Sequence, residues 1–202
     1  MKEQLEAEIY CEPFPLMVVN NFYNQQELNL IWKELDFYTA PNKLLPAENY
    51  GGVVGFTNAK ALLLDDIYRD RTKEKEQANF RNVSNILTVN RKLFNCGVLD
   101  KFSELHGCWS IAPKCNHDVT KVRDYHNNEY YDPHTDRSVQ FLAFSYFYKE
   151  PKKFIGGDLI FPKYDFKLPC ENNSMVIFPG WVEHGVRKVT IEDSDYFDGW
   201  GR

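Results

Sequence analysis

Apolar positions in the first half of the chain recur at helical spacing. Leu28, Ile31 and Leu35 follow one another three or four residues apart. Asn24 precedes them as an N-cap, with amide and acidic residues in the first turn. The pattern predicts helices over residues 25–38, from about residue 84, and over 99–105.

The spacing changes near residue 110, where short runs of aromatic and β-branched residues begin to alternate with turn residues. Gly156-Gly157, Asn172-Asn173 and Pro179-Gly180 mark the turns. Many short strands are typical of a sandwich or barrel, and helices grouped before them indicate an α+β fold with the helices packed on one sheet. Strands are predicted over residues 14–19, 121–125, 139–148, 158–162, 174–178 and 185–190.

Composition narrows the class of protein. The 202 residues carry a net charge of −5, so general binding to nucleic acids or anionic membranes is disfavoured. The apolar runs are too short to cross a membrane, and the first ten residues lack the apolar region of a signal peptide. The five cysteines form no CxxC pair, which favours free thiols in a cytoplasmic setting.

Three side chains suit a metal site. His134 and Asp136 form a His-x-Asp motif, and alternate residues of a strand point to the same side. His184 follows a later β run and a Pro-Gly turn. Two neutral imidazoles and one carboxylate leave coordination positions open, as Fe(II) oxygenases require, although the same ligands also suit Mn or Zn.

The neighbours of this motif carry a family resemblance over about residues 121–202. The segments YHNNEYYDPHTD, FLAFSYFYKE, FIGGDLIF, NSMVIFPGWVEHGV and GWGR occur in that order. This order is similar to that of the prolyl-4-hydroxylase-like Fe(II)/2-oxoglutarate-dependent oxygenases. The resemblance implies a double-stranded β-helix, or jelly-roll, in a single domain over residues 1–202. Residues 1–110 would supply supporting helices and loops, and residues 111–202 the jelly-roll core.

The resemblance also implies cofactors and their residues. Fe(II) would be bound by His134, Asp136 and His184, and 2-oxoglutarate would chelate the iron, with ascorbate as a further candidate cofactor. A buried distal carboxylate needs a cation, and a guanidinium can bind it in bidentate fashion. The 2-oxoglutarate residues implied are Arg202, Tyr146, Tyr125, Leu159 and Val186.

The position of the basic residue departs from the family pattern. Arg202 follows His184 by 18 positions, with the acidic segment TIEDSDYFDG between them, whereas the family usually keeps the two closer. Arg187 and Lys188 are the alternative cations.

The resemblance implies a dioxygenase that hydroxylates an unactivated C–H bond, most closely that of a peptidyl proline, and forms succinate and CO₂. The alternatives are the same chemistry on a small molecule or a nucleic-acid base, a non-catalytic jelly-roll binding module, and a metal-dependent cupin-type enzyme. Residues 42–80 are the predicted lid over the site. Trp181 and Trp200 are predicted to pack inside rather than to contact substrate.

Overall fold

The computed structural model describes residues 6–50, 55–68, 80–95, 97–115 and 117–192. Its strands are β1 (Ala7–Tyr10), β2 (Leu16–Val19), β3 (Lys60–Leu63), β4 (Lys121–Asp124), β5 (Tyr131–His134), β6 (Phe141–Ser145), β7 (Leu159–Phe161), β8 (Phe166–Leu168), β9 (Met175–Pro179) and β10 (His184–Val186). Its α-helices are α1 (Gln25–Tyr38), α2 (Leu64–Ile67), α3 (Asn85–Asn90) and α4 (Val98–Glu104).

Contacts between residues divide the chain into two units. The sheet unit comprises Met1–Phe22, Gly51–Ala59 and Asp124–Arg202, and the helical unit comprises Tyr23–Tyr50 and Lys60–Arg123. Within the sheet unit, two four-stranded antiparallel sheets have the orders β1-β2-β9-β6 and β5-β10-β7-β8. The chain therefore crosses repeatedly between the two sheets on its way from β5 to β10.

One hydrophobic cluster joins the inward faces of both sheets. The ring of Phe178 on β9 meets that of Phe161 on β7 edge-on, with centroids 5.2 Å apart, and Phe14 packs against Phe161 at 4.8 Å. Each fully buried side chain of this size contributes about 1.5–3 kcal/mol of transfer free energy. This core supports β10, the strand on which His184 lies.

Helix α1 begins with a reciprocal capping box. The side-chain oxygen of Asn24 accepts hydrogen bonds from the backbone N–H groups of Gln26 and Glu27, both at 3.0 Å, and the Glu27 carboxylate accepts from the Asn24 N–H at 2.8 Å. These contacts satisfy N–H groups that a helix terminus otherwise leaves without partners.

The helical unit also contains a buried carboxylate, Glu34 of α1. It accepts hydrogen bonds from the Ser84 hydroxyl and the Ile86 N–H, each at 2.7 Å. It also accepts hydrogen bonds from the hydroxyls of Tyr38 and Tyr68, at 3.1 and 3.2 Å. Since Ser84 is the N-cap of α3, this one side chain ties the start of α3 to α1. We name these five residues the Glu34 cluster.

The two tyrosines of the Glu34 cluster predict a loss of stability at high pH. Burial, followed by the hydrogen bond with Tyr68 and the charge of Glu34, raises the pKa of Tyr38 above its ordinary value of 10.0. A phenol whose pKa is raised by folding stabilises the protein fully below the unfolded pKa of about 10, and this stabilisation is lost as the pH rises further. Urea unfolding at pH 8 and at about pH 11 should show a smaller loss of unfolding free energy in Tyr38→Phe than in the parent. Equal losses in the two proteins would contradict this assignment.

The predicted elements compare with the structure as follows. The helix predicted over residues 25–38 coincides with α1. The second predicted helix begins after Ser84 and passes into a 3-10 helix after Asn90. The strands predicted over 139–148 and 185–190 are shorter, at Phe141–Ser145 and His184–Val186. Antiparallel sheets with separate helices agree with the α+β expectation, while the single-domain organisation stays a prediction. Among the described residues, no helix combines the length and apolar character needed to cross a membrane.

Candidate metal centre

The two histidines of the predicted metal site lie on neighbouring strands. β5 and β10 run antiparallel, and His134 is the cross-strand partner of His184. Their ring centroids are 4.4 Å apart. Asp136 lies two residues beyond the end of β5, where its backbone N–H donates to the carbonyl of Gly180 at 2.8 Å. Strand pairing thus brings together side chains that are far apart in sequence.

The backbone selects the tautomer of each imidazole. Nδ1 of His134 lies 2.9 Å from the carbonyl oxygen of Asp132, and Nδ1 of His184 lies 2.9 Å from that of Val182. A carbonyl oxygen only accepts hydrogen bonds, so each Nδ1 carries the proton. The Nε2 atom of each neutral ring is then a lone-pair donor. This is the arrangement by which outer contacts orient histidine ligands of metals.

The ligand atoms converge. Oδ2 of Asp136 lies 4.0 Å from Nε2 of His134 and 3.8 Å from Nε2 of His184. All three candidate donor atoms lie within 4.8 Å of one another, a span that a single metal ion can bridge. Two imidazole nitrogens and one carboxylate oxygen form the facial ligand set of non-haem Fe(II) oxygenases, so the residues present fit such an ion.

Burial differs among the three ligands and defines an open side. The side chain of His184 is 2% exposed, that of His134 17% and that of Asp136 40%. Phe178 meets the His184 ring edge-on at 5.0 Å, and Tyr131 stacks on the His134 ring at 3.9 Å. The histidines are therefore held on the core side, while the carboxylate lies toward solvent.

Two glycines allow the close approach of these segments. A Cβ atom on Gly180 would lie 2.5 Å from the carbonyl oxygens of Asp136 and Val139. A Cβ atom on Gly185 would lie 2.8 Å from the Tyr131 oxygen. Any larger residue would push apart the turns and strands that carry the three candidate ligands.

The residues predicted to bind 2-oxoglutarate fall into two groups. Tyr125, Tyr146, Leu159 and Val186 are all buried in the sheet-unit core. Val186 is two residues beyond His184 on β10. Arg202 lies outside the described residues, so its predicted role stays a prediction.

The alternative cations differ from these buried residues. The side chains of Arg187 and Lys188 are exposed, and the backbone of Arg187 pairs with Asp158 and Gly157. Their role as alternative cations for 2-oxoglutarate stays a prediction.

Several residues have a role at the site that the sequence does not predict. Gly180 lies in the turn between β9 and His184, and Gly185 follows His184 on β10. A glycine near a candidate ligand is a signal for close backbone approach. The stacking of Tyr131 on His134 had no such signal. Trp181, which the sequence predicts to pack inside, is 52% exposed, so that prediction is wrong, while Trp200 lies outside the described residues.

Comparison with known proteins gives a likeness of fold. No family model matches the sequence, and no curated protein matches it. A Pseudomonas putida prolyl-4-hydroxylase aligns with a TM-score of 0.52 and 15% identity, over 87% of this chain and 86% of its own. The viral collagen prolyl hydroxylase of Paramecium Bursaria Chlorella virus-1, solved as a 2OG complex, aligns with a TM-score of 0.51 and 12% identity, over 90% of this chain and 92% of its own. The chain therefore has a fold like that of these prolyl hydroxylases, as the order of its motifs predicted.

Proposed function

We propose that this protein is an Fe(II)- and 2-oxoglutarate-dependent dioxygenase that hydroxylates a peptidyl proline. The observation that carries the proposal is the convergence of His134, Asp136 and His184. In both histidines a backbone carbonyl binds Nδ1, so that the Nε2 atom carries the lone pair that can bind a metal. The fold shared with two prolyl hydroxylases supports the substrate class.

The strand order supports a double-stranded β-helix core. β6 and β9 lie in one sheet, whereas β5, β7, β8 and β10 lie in the other, and one core fills the space between them. A chain that winds between two facing sheets in this way is typical of jelly rolls. We include this architecture in the proposal because it explains why ligands on β5 and β10 meet at one end of the core.

The residues have separate roles in the proposed reaction. His134, Asp136 and His184 would hold the iron and leave its remaining positions open. Tyr125 and Tyr146 would direct phenol groups toward 2-oxoglutarate from the core. Leu159 and Val186 would line its apolar wall, and Arg202 would pair with its distal carboxylate.

Bound Fe(II) and 2-oxoglutarate would supply the oxidising chemistry, in which O₂, 2-oxoglutarate and a C–H bond give a hydroxylated product, succinate and CO₂. The chain would supply position and protection. The aromatic rings of Phe178 and Phe144 beside His184 keep water from the core side of the centre. Asp136 is the most exposed of the three candidate ligands, so a peptide would approach the centre from its side.

The test is incubation of the protein with Fe(II), ascorbate, 2-oxoglutarate and a panel of proline-rich peptides. We expect succinate to form, and we expect mass spectrometry to show one added oxygen on a peptide. Each product should require 2-oxoglutarate, which separates this activity from that of a cupin-type enzyme. Succinate formation with oxygen added to a free metabolite or nucleobase would contradict the peptide substrate, and no succinate under any condition would contradict the oxygenase.

A further inference from the structure

Trp181 is an exposed aromatic residue within a stretch of the chain that is otherwise almost entirely buried. From Asn173 to Val186, a stretch described throughout, every residue is buried except Trp181, which is exposed, and Glu183, which is partly so. Its neighbours Gly180 and Val182 are both buried. Because removing apolar surface from water is favourable, a partner that covered Trp181 would gain binding free energy from the contact.

The turn that carries Trp181 is held from several directions. The Val182 N–H donates to the carbonyl of Pro179 at 3.1 Å, and the carbonyl of Val182 accepts from Nδ1 of His184. On the other side, Gly180 accepts from the Asp136 N–H at 2.8 Å and donates to the Gln140 carbonyl at 3.3 Å. The indole therefore stands on a backbone bonded to the segments of two candidate metal ligands.

A second exposed apolar side chain lies beside this turn. A Cβ atom on Gly180 would lie 2.9 Å from Cγ2 of Val139, so the isopropyl group of Val139 covers the glycine next to Trp181. Val139 is itself exposed and closes the turn that starts at Asp136, because its N–H donates to the Asp136 carbonyl. Of the two exposed apolar residues, Val139 is thus hydrogen-bonded through its backbone to that of Asp136, and Trp181 directly follows Gly180, whose backbone is also hydrogen-bonded to that of Asp136.

We propose that Trp181, with Val139 beside it, is the residue that selects a proline-rich peptide, by packing its indole face against a pyrrolidine ring near the target residue. Rigid aromatic side chains recognise polyproline-type segments because both surfaces lose little conformational entropy on contact. The inference rests on the proposed function for its substrate class, and it adds the group that discriminates proline from smaller residues.

The experiment measures binding without turnover. A fluorescently labelled proline-rich peptide, and a matched peptide with glycine in place of each proline, are titrated against the full chain with Mn(II) and 2-oxoglutarate. We expect the parent to prefer the proline peptide, and Trp181→Ala to weaken its binding about tenfold and remove most of the preference. Trp181→Phe should retain most of the preference. Ile155→Ala, which removes an exposed apolar group elsewhere in the sheet unit, should bind like the parent.

The outcomes separate a recognition role from a structural one. Equal proline-peptide affinity in Trp181→Ala and the parent would overturn the proposal. A loss of Mn(II) affinity as large as the loss of peptide affinity would also overturn it, because Trp181 would then act only by supporting the turns that carry the candidate metal ligands. Absence of peptide binding by the parent would overturn it as well. If the dioxygenase proposal fails, the succinate assay shows it by the absence of succinate. The peptide titration does not depend on turnover and can still be interpreted.

Discussion

Asp136→Ala is expected to abolish succinate formation and to weaken metal binding at least about 100-fold. Losing even an outer partner of a metal ligand typically costs 10–100-fold, and this change removes a ligand itself. The side chain of Asp136 is 40% exposed, so its loss leaves no cavity in the core. The expected change is therefore one of chemistry, with the cooperative unfolding transition retained.

Asp132→Ala provides the matched control. Asp132 is an exposed acid on β5, and its contribution to the site is its backbone carbonyl, which orients His134 and which alanine preserves. Calorimetric titration with Mn(II) and the succinate assay should place Asp132→Ala close to the parent. If Asp136→Ala binds metal as tightly as the parent, or if both variants lose binding equally, the assignment of Asp136 as a ligand is wrong.

Local signals explain which parts of the fold were predictable. Helix α1 begins and ends where its sequence predicts, because the capping box and the spacing of Ile31 and Leu35 both lie within the segment. The His-x-Asp motif and the later histidine could be identified in the same way. The geometry that joins them could not be read from spacing alone. Asp136 lies beyond the end of β5, so its position depends on the hydrogen bond to Gly180 rather than on strand alternation.

Long-range pairing explains the parts that were not predicted. β1 and β2 join the sheet that contains β9, which lies more than a hundred residues later in the chain. The local sequence of these strands does not predict which strand they pair with. The exposure of Trp181 is also not predicted by the local sequence. An apolar run predicts burial, and the run gives no sign that the turn at residues 179–182 directs one of its side chains to solvent. The burial of Glu34 also depends on partners distant in sequence, at Tyr68, Ser84 and Ile86.

Glu34→Ala is expected to cause a large loss of stability in the helical unit, although it removes no apolar side chain from the core. The Glu34 carboxylate accepts hydrogen bonds from two tyrosine hydroxyls, from Ser84 and from the Ile86 N–H. Alanine would leave buried donors without this acceptor, and each unsatisfied group costs about 1–3 kcal/mol. Because Tyr38 and Tyr68 also hydrogen-bond to each other, part of the loss is offset, and we expect about 3 kcal/mol in total.

Lys33→Ala is the control for this change, since Lys33 is the exposed neighbour of Glu34 on the same helix and alanine is at least as good a helix former as lysine. Urea unfolding at pH 7 should leave Lys33→Ala within about 0.5 kcal/mol of the parent. The unfolding free energy of Glu34→Gln should lie between those of Glu34→Ala and Lys33→Ala. The glutamine amide keeps one oxygen acceptor, but its NH₂ group replaces the other oxygen and faces groups that also donate. A loss below about 1 kcal/mol in Glu34→Ala would mean that water replaces the carboxylate, and that α1 and α3 are held together by their apolar contacts instead.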